Sequence, residues 1–410
     1  MNLLFYRLFL WLYQVGIHIA ALFSDKAKKF INGRKGWKKL IESKSEEIAG
    51  CIWFHCASLG EFEQGRPLIE SIREIYPDSK VLLTFFSPSG YEIRKNYTGA
   101  DLVMYLPMDS PRNAKHFIQL TSPKAAFFVK YEYWFHYLKE LHESNVPTYM
   151  VSAVFRQNHI FFKWYGSLHR RMLGFIKMFF VQDASSSEML KNIGYSNATV
   201  SGDTRFDRVL SGAHSANPLA KFESLRGNGP VLVAGSTWPE DEKLLTGIEE
   251  YHSGKLKMVI VPHEISEDHI NKLMDTLGKG AARYSNWEGD FNTTNSLVVD
   301  TIGMLSSIYQ YADIAYVGGG FGSGIHNTLE AVAFGAPVVF GPNFHRFNEA
   351  NALIEIGGGF SIKNINELQS KISELLSSKS DLEKIGEINR GFIMRNSGAT
   401  NRILKHLKEK

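Results

Sequence analysis

Twice along this chain, short apolar runs alternate with segments whose apolar residues recur at helical spacing. The runs 51–56, 81–86, 102–106, 125–129, 148–153 and 177–182 make the first series, with helical patterns such as 114–120 and 133–143 between them. The second series is 230–235, 257–261, 297–300, 313–317, 337–340 and 359–362, with helices expected over 240–251, 267–279, 327–334 and 365–377. Such alternation predicts βαβ units, hence an α/β fold with parallel sheets covered on both faces. At 410 residues the chain exceeds what one core serves. Ser, Ala, Asn, Gly and Pro collect between Ser211 and Pro230, which marks a linker over 211–229. Two doubly wound, Rossmann-like domains are therefore expected, 26–210 and 230–390, facing each other across a cleft. The helical stretch 381–408 is long enough to return to the first domain, and 391–410 is assigned to that return.

A different kind of segment precedes the first strand. Residues 3–23 are apolar and aromatic, interrupted by Arg7, Gln14 and His18. The run is long enough to span a bilayer, and its polar interruptions also permit a helix lying in the interface. A buried core helix is a third reading. A signal peptide is a fourth, but no small-residue cleavage site precedes the basic block. Tyr6, Trp11, Tyr13 and Trp37 suit a membrane interface. Lys26, Lys28, Lys29, Arg34, Lys35, Lys38, Lys39 and Lys44 follow, against Asp25 and Glu42. This places residues 1–25 as an anchor, with the remainder on the cytoplasmic side of a membrane, near anionic lipid. The net charge of +4 is too small to argue for nucleic acid. Cys51 and Cys56 lie on one strand with side chains on opposite faces, so neither a disulfide nor a zinc site is expected.

In open α/β sheets, ligands bind at the carboxyl ends of strands. The first strand ends in Ala57, Ser58, Leu59 and Gly60, and Glu61 opens the helix that follows. A carboxylate there sits beside backbone N–H groups and could act as a base for a hydroxyl; it could equally be an ordinary first-turn helix residue. In the second domain, Gly318, Gly319, Gly320, Gly322 and Gly324 follow a strand, where they would let N–H groups approach a phosphate. Asn327 and Glu330 lie one turn apart, placed either for ribose hydroxyls or as a capping arrangement. Further loops at strand ends carry Ser236 and Thr237, Pro262 and His263, and Ile302, Gly303 and Met304. Lys130 and Glu132 follow a buried strand, and Arg205 precedes the linker, where it could supply positive charge to a leaving phosphate. A nucleophile elbow, an HExxH pair and a Walker lysine are all missing, which argues against hydrolase, protease and P-loop readings.

Taken together, these blocks resemble the 3-deoxy-D-manno-octulosonic acid (Kdo) transferases of lipopolysaccharide synthesis. FHCASLGE is similar to that family's HxxSxGE motif, and SPSGYE, YLPMDSP, KYEYW, SGDTRFD, AGSTWPEDE, VPHE, DTIGML and NTLEAVAFGAPVVFGP match further blocks in the same order. The resemblance implies a glycosyltransferase B fold and an inverting transfer from CMP-Kdo to a lipid A precursor, lipid IVA, with no metal or other cofactor. It implies Glu61 as general base, and Glu132 and Arg205 in transition-state stabilisation. Ser236, Thr237, Pro262, His263, Ile302, Gly303, Met304, Gly320, Asn327, Thr328, Leu329 and Glu330 fall on the donor side, and Ser58, Gly60 and Lys130 on the acceptor side. CMP-Kdo, the lipid A precursor and an anionic membrane surface are the implied partners. The chain departs from the family at four positions. Lys130 stands where the family commonly has an acid, His263 where it has Arg, Met304 where it has Glu, and Arg205 where it has Lys. Another two-domain sugar-nucleotide enzyme, a UDP-sugar transferase or epimerase, and a non-catalytic membrane-associated binding protein are the alternatives.

Overall fold

A computed structural model describes residues 3–225 and 229–409. Positions 226–228 of the expected linker lie outside the described residues. The chain divides into two compact units. Unit 1 runs through Arg208 and includes the stretch from Ser397 onward; unit 2 is Val209–Asn396.

Unit 1 holds seven parallel strands: β1 (Ile52–Cys56), β2 (Val81–Phe85), β3 (Leu102–Tyr105), β4 (Ala125–Val129), β5 (Thr148–Ala153), β6 (Met178–Val181) and β7 (Ala198–Val200). They lie in the order β3-β2-β1-β4-β5-β6-β7. The side-chain period of two sorts residues between two cores. Trp53, Leu82, Phe128, Met150 and Phe179 pack on one face; Phe54, Leu83, Phe127, Tyr149 and Phe180 pack on the other. Cys51 and Cys56 fall on opposite faces by the same alternation, and both thiols are free and buried. Burial pushes the Cys51 thiol up to about 12.

Four helices precede β1 among the described residues: α1 (Leu3–Ala20), α2 (Asp25–Asn32), α3 (Trp37–Ser43) and the single turn α4 (Ser45–Ile48). Ser24 starts α2 by accepting from the Ala27 amide. Tyr6 and Leu10 of α1 are buried in unit 1, with Leu3 packed beside them. The Tyr6 hydroxyl donates to Asp109 Oδ2 at 2.6 Å, and Asp109 also accepts from the amides of His136 and Tyr137, each at 3.1 Å. Arg7 Nε donates to His136 Nε2 at 3.4 Å. Burial, with Arg7 and Lys139 nearby, holds His136 down at about 4, which keeps that nitrogen free to accept.

Burial acts on Asp109 in the opposite sense. It pushes the carboxyl up to about 6, against the pull of its three donors. Because the folded value lies above the unfolded one, Asp109's contribution is complete below about pH 4 and is lost as pH rises through about 6. The wild type should therefore gain on the Asp109→Asn variant as pH falls from 7 to 4, by on the order of 3 kcal/mol. Urea unfolding of both proteins across that range checks this. Both keep His136, whose opposite contribution, lost as pH falls below 6.5, cancels in the difference.

The stretch 381–408, expected as one helix, is two: Lys379–Asn396 and Ala399–Lys408. Gly398 breaks it with φ 90°, a conformation a side chain would strain. Asp207 then caps the second helix, accepting from the Gly398 amide and from the amide and hydroxyl of Thr400, both at 2.7 Å. Arg402 Nε donates to Ser201 O at 2.7 Å, and Ile403 and Leu404 join the core beside Phe180. Asp207→Ala should lower the stability of unit 1 by about 1–2 kcal/mol, the usual worth of such a cap, read from its denaturation midpoint.

Unit 2 carries β8 (Val231–Thr237), β9 (Lys257–Pro262), β10 (Ala281–Arg283), β11 (Ser296–Val298), β12 (Ile314–Val317), β13 (Val338–Phe340) and β14 (Gly359–Ser361). Their order is β10-β11-β9-β8-β12-β13-β14, again all parallel. Two of the expectations need correction. The helix read over 240–251 is interrupted between Pro239–Leu245 and Glu249–His252. β7 and β10 are edge strands that the run pattern does not reveal.

Candidate functional site

Each sheet reverses its strand order beside its first strand, and a ligand crevice opens at such a switch point. In unit 1 the switch lies between β1 and β4. The loop after β1 carries Ser58, Gly60 and Glu61; the loop after β4 carries Lys130 and Glu132. Glu61 lies in the first turn of the helix Leu59–Ile75. Ser58 holds the extended conformation of a residue that starts a helix, yet caps no amide with its side chain. Its hydroxyl donates instead to Glu61 Oε2. The carboxylate is thereby aimed while its other oxygen stays available.

Glu132 is held from behind. Its Oε2 accepts from Trp134 Nε1 at 2.7 Å and stands 3.0 Å from Nε2 of the wholly buried His55. His55 Nδ1 lies 2.8 Å from Thr84 Oγ1, which accepts from Trp53 Nε1 at 2.8 Å. A proton arrangement consistent with these distances has Trp53 donating to Thr84, Thr84 to His55 Nδ1, and His55 Nε2–H to Glu132. Lys130, just past β4, takes a left-handed conformation, φ 67°, unusual for a residue with a side chain. Its amide donates to Val151 O at 2.9 Å.

Arg205 enters the same edge from the start of the helix Thr204–His214. Asp203 grips its guanidinium at 2.9 and 2.8 Å through Nε and Nη2. The Tyr131 hydroxyl is raised first by burial, and it also feels the charges of Glu61 and Arg205. The buried Cys56 thiol is raised in the same way, with Glu61 and Glu132 among its neighbours. The three residues expected at the reaction therefore collect at one sheet edge. His55, Trp134 and Asp203 support them and were not singled out from the sequence. His55 meets Glu132 across 77 positions, a separation that leaves no periodicity to read, whereas Trp134 and Asp203 stand only two residues from the Glu132 and Arg205 they support.

In unit 2 the switch lies between β8 and β12. Ser236, next to last in β8, is left-handed with φ 53°. Thr237 Oγ1 donates to Glu242 Oε1 at 2.9 Å, and Glu242 Oε2 meets His269 Nε2 at 2.8 Å. The His263 amide, just past Pro262, donates to Thr237 O at 2.9 Å. Trp238, His263 and His326 stack in that order, with ring centroids 4.8 and 4.5 Å apart. Trp238 Nε1 donates to His326 Nε2 at 3.1 Å. Burial and then His263 hold His326 below the ordinary histidine range, so this nitrogen can accept. The stack gathers aromatic side chains from loops of unit 2, two of them just past the ends of β8 and β9.

Asp241 secures that edge. Nearly wholly buried, it accepts from the amides of Trp238 at 3.0 Å and Gly319 at 2.9 Å and from the Tyr316 hydroxyl at 2.7 Å. The glycine loop serves packing more directly than expected. A Cβ on Gly318 would lie 2.3 Å from Ser236 O, and one on Gly320 would lie 2.6 Å from Gly341 Cα.

The remaining donor-side residues divide by exposure. Ile302 is 86% exposed, and Met304 Sδ accepts from Thr301 Oγ1 at 3.0 Å, with Gly303 left-handed between them. Asn327 Oδ1 accepts from the Leu329 amide at 3.1 Å, and Asn327 Nδ2 donates to Glu330 Oε1 at 3.0 Å. The helix there is only Leu329–Ala333, so Asn327 lies ahead of it rather than within it. Leu329 is wholly buried and its amide is taken, which withdraws its side chain from the exposed edge. Thr328 is also wholly buried, and its hydroxyl finds no partner among the described residues. No group of three His, Cys, Asp or Glu is placed to hold a metal among the described residues.

Comparison with known proteins places this geometry. A family model described as 3-deoxy-D-manno-octulosonic-acid transferase (kdotransferase) matches residues 30–208. The chain is 30% identical over 349 residues to a 3-deoxy-D-manno-octulosonic acid transferase of Aquifex aeolicus (strain VF5), covering 83% of this chain and 90% of that one. It is 29% identical over 378 residues to the transferase of the same name from Haemophilus influenzae, covering 87% and 86%. Among solved structures, the UDP-GlcNAc 2-epimerase of Neisseria meningitidis superposes with a TM-score of 0.64 at 14% identity, covering 88% of this chain and 100% of that one. That likeness is one of fold.

Proposed function

The chain belongs to the 3-deoxy-D-manno-octulosonic acid transferase family, and on that premise we propose that it moves Kdo from CMP-Kdo to a lipid A precursor, lipid IVA, at the inner membrane. It is a glycosyltransferase of lipopolysaccharide biosynthesis. The observation that carries it is Glu61, a carboxylate aimed by Ser58 at the switch point of unit 1.

In this reading Glu61 takes the proton of an acceptor sugar hydroxyl as that oxygen bonds to the anomeric carbon of Kdo. The bond from that carbon to the CMP phosphate oxygen breaks, and its electron pair leaves with CMP. Attack opposite the leaving group inverts the centre. Glu132, oriented by His55 and Trp134, faces the positive charge that develops on the sugar. Arg205 neutralises the departing phosphate. Ser58, Gly60 and Lys130 line the acceptor side. On unit 2, the Trp238, His263 and His326 stack and the loops bearing Ser236, Thr237, Pro262, Ile302, Gly303, Met304, Gly320 and Asn327 to Glu330 hold the donor. No metal or organic cofactor enters the scheme.

The test is protection from thermal unfolding. CMP should raise the melting temperature at concentrations where UDP does not. Protection by UDP alone would transfer the chain to the UDP-sugar enzymes whose fold it shares.

A further inference from the structure

Helix α1 is apolar almost all round, but it does not stand free of unit 1. Leu3, Tyr6 and Leu10 pack into the core of that unit, and Tyr13 stacks on Phe86 and meets Phe30 edge-on. These positions recur at three- and four-residue spacing and form a single stripe. Tyr6 is tied to the buried Asp109, and Arg7 to His136. From Leu3 to Tyr13 the attachment runs about 15 Å along an 18-residue helix that is itself about 27 Å long.

The opposite face is bare. Leu4, Phe5, Leu8, Phe9, Trp11, Leu12, Val15 and Ile19 are exposed, and Leu22 and Phe23 continue the surface beyond the helix. A groove of about 480 Å³ runs along it, lined by Trp11, Gln14, Val15, His18, Ile19 and Leu22. Water is a poor neighbour for so large an apolar face. Immediately after it, Lys26, Lys28 and Lys29 of α2, with Lys35 and Lys39, present exposed ammonium groups. Arg34 is not among them, since it is turned inward to the carbonyls of Leu106, Phe30 and Phe86.

Length alone would let α1 span a bilayer. Its attachment forbids this while the fold is intact. To cross, the helix would either carry Asp109, His136 and their surroundings into hydrocarbon or tear its stripe from the core. We propose that α1 is an in-plane anchor. Its docked stripe stays on unit 1, its bare face sinks into the headgroup–acyl boundary of an anionic leaflet, and the lysines of α2 neutralise lipid phosphates. The occupant is a lipid surface because the bare face and the basic cluster are adjacent, as such a surface requires. This deepens the membrane partner of the proposed function and rests on that reading for which membrane is meant. The test below uses no transfer reaction, so the two can fail separately.

The experiment uses the full chain carrying single cysteines, Leu4→Cys, Trp11→Cys and Leu22→Cys, each labelled with an environment-sensitive fluorophore. Cys51 and Cys56 are wholly buried and stay unlabelled in the folded protein. The labelled proteins are added to preformed vesicles of phosphatidylcholine with one-third phosphatidylglycerol, and circular dichroism confirms the fold. All three labels should shift to the blue and all three should be reduced by dithionite added outside. Lys28→Gln combined with Lys29→Gln should weaken partitioning into these vesicles about thirtyfold and leave partitioning into pure phosphatidylcholine unchanged. A residue-4 label protected from dithionite would show a spanning helix and overturn the proposal. Labels that do not respond to vesicles would overturn it too. So would a dimer that buries all three labels without lipid, since the face would then belong to a second copy.

Discussion

Glu61→Gln should lower the rate of transfer by about 10²–10⁴-fold while protection by CMP is unchanged. Glutamine nearly matches the shape of glutamate and can still accept from the Ser58 hydroxyl, so the helix start survives. What it cannot do is take a proton. The deficit corresponds to about 3–5 kcal/mol of barrier and should fall on kcat, because the base acts only as the acceptor oxygen attacks. Ser58→Ala provides the graded control. It frees the carboxylate to turn without removing it, so it should cost far less than Glu61→Gln. Single-turnover assays with saturating donor separate these effects. A Glu61→Gln enzyme with undiminished rate would return Glu61 to the role of an ordinary first-turn residue.

Asp241→Ala should be the most damaging single change in unit 2. It strips the acceptor from two backbone amides and one tyrosine hydroxyl at a site that water scarcely reaches. Each stranded donor costs about 1–3 kcal/mol, so a total of about 3–9 kcal/mol is expected, a large part of a typical domain's stability. Urea denaturation of the variant against wild type measures it. Asp241→Asn keeps one acceptor oxygen and should lose less. Because the same carboxylate pins Trp238 and the glycine loop, protection by CMP should weaken in Asp241→Asn even where the fold persists. A variant that unfolds early but binds CMP normally once folded would separate stability from the aromatic stack.

The alternation of apolar runs and helices carried the architecture well, since buried parallel strands are continuous hydrophobic runs. The two strands it misses, Ala198–Val200 and Ala281–Arg283, are three-residue edges with no fully buried residue, so they lack that signature. The helix breaks at Gly398 and around Gly247 depend on single glycines inside otherwise helical patterns, where spacing alone argues for continuity. At the candidate site, what was legible is position: Glu61, Glu132 and His263 lie just past strand ends, and Ser236 near one, where such sheets bind ligands. Their supports were not. Asp241 meets Gly319 across 78 positions, and Trp238 meets His326 across 88. A partner at that separation leaves no periodicity to read. The glycine loop has a second reason that the pattern does not show. Glycine clusters after a strand suggest room for a phosphate, whereas Gly318 and Gly320 are needed first because the chain's own backbone lies against them.

The most direct test is transfer itself. Purified full-length protein in detergent is given CMP-Kdo and a lipid A precursor, and the lipid product is read by mass spectrometry. The wild type should add the mass of one or more Kdo residues, and Glu61→Gln at the same concentration should add almost none while retaining CMP protection. A wild-type protein that binds CMP yet leaves the lipid unchanged, or a Glu61→Gln protein that matches the wild type, would contradict the account.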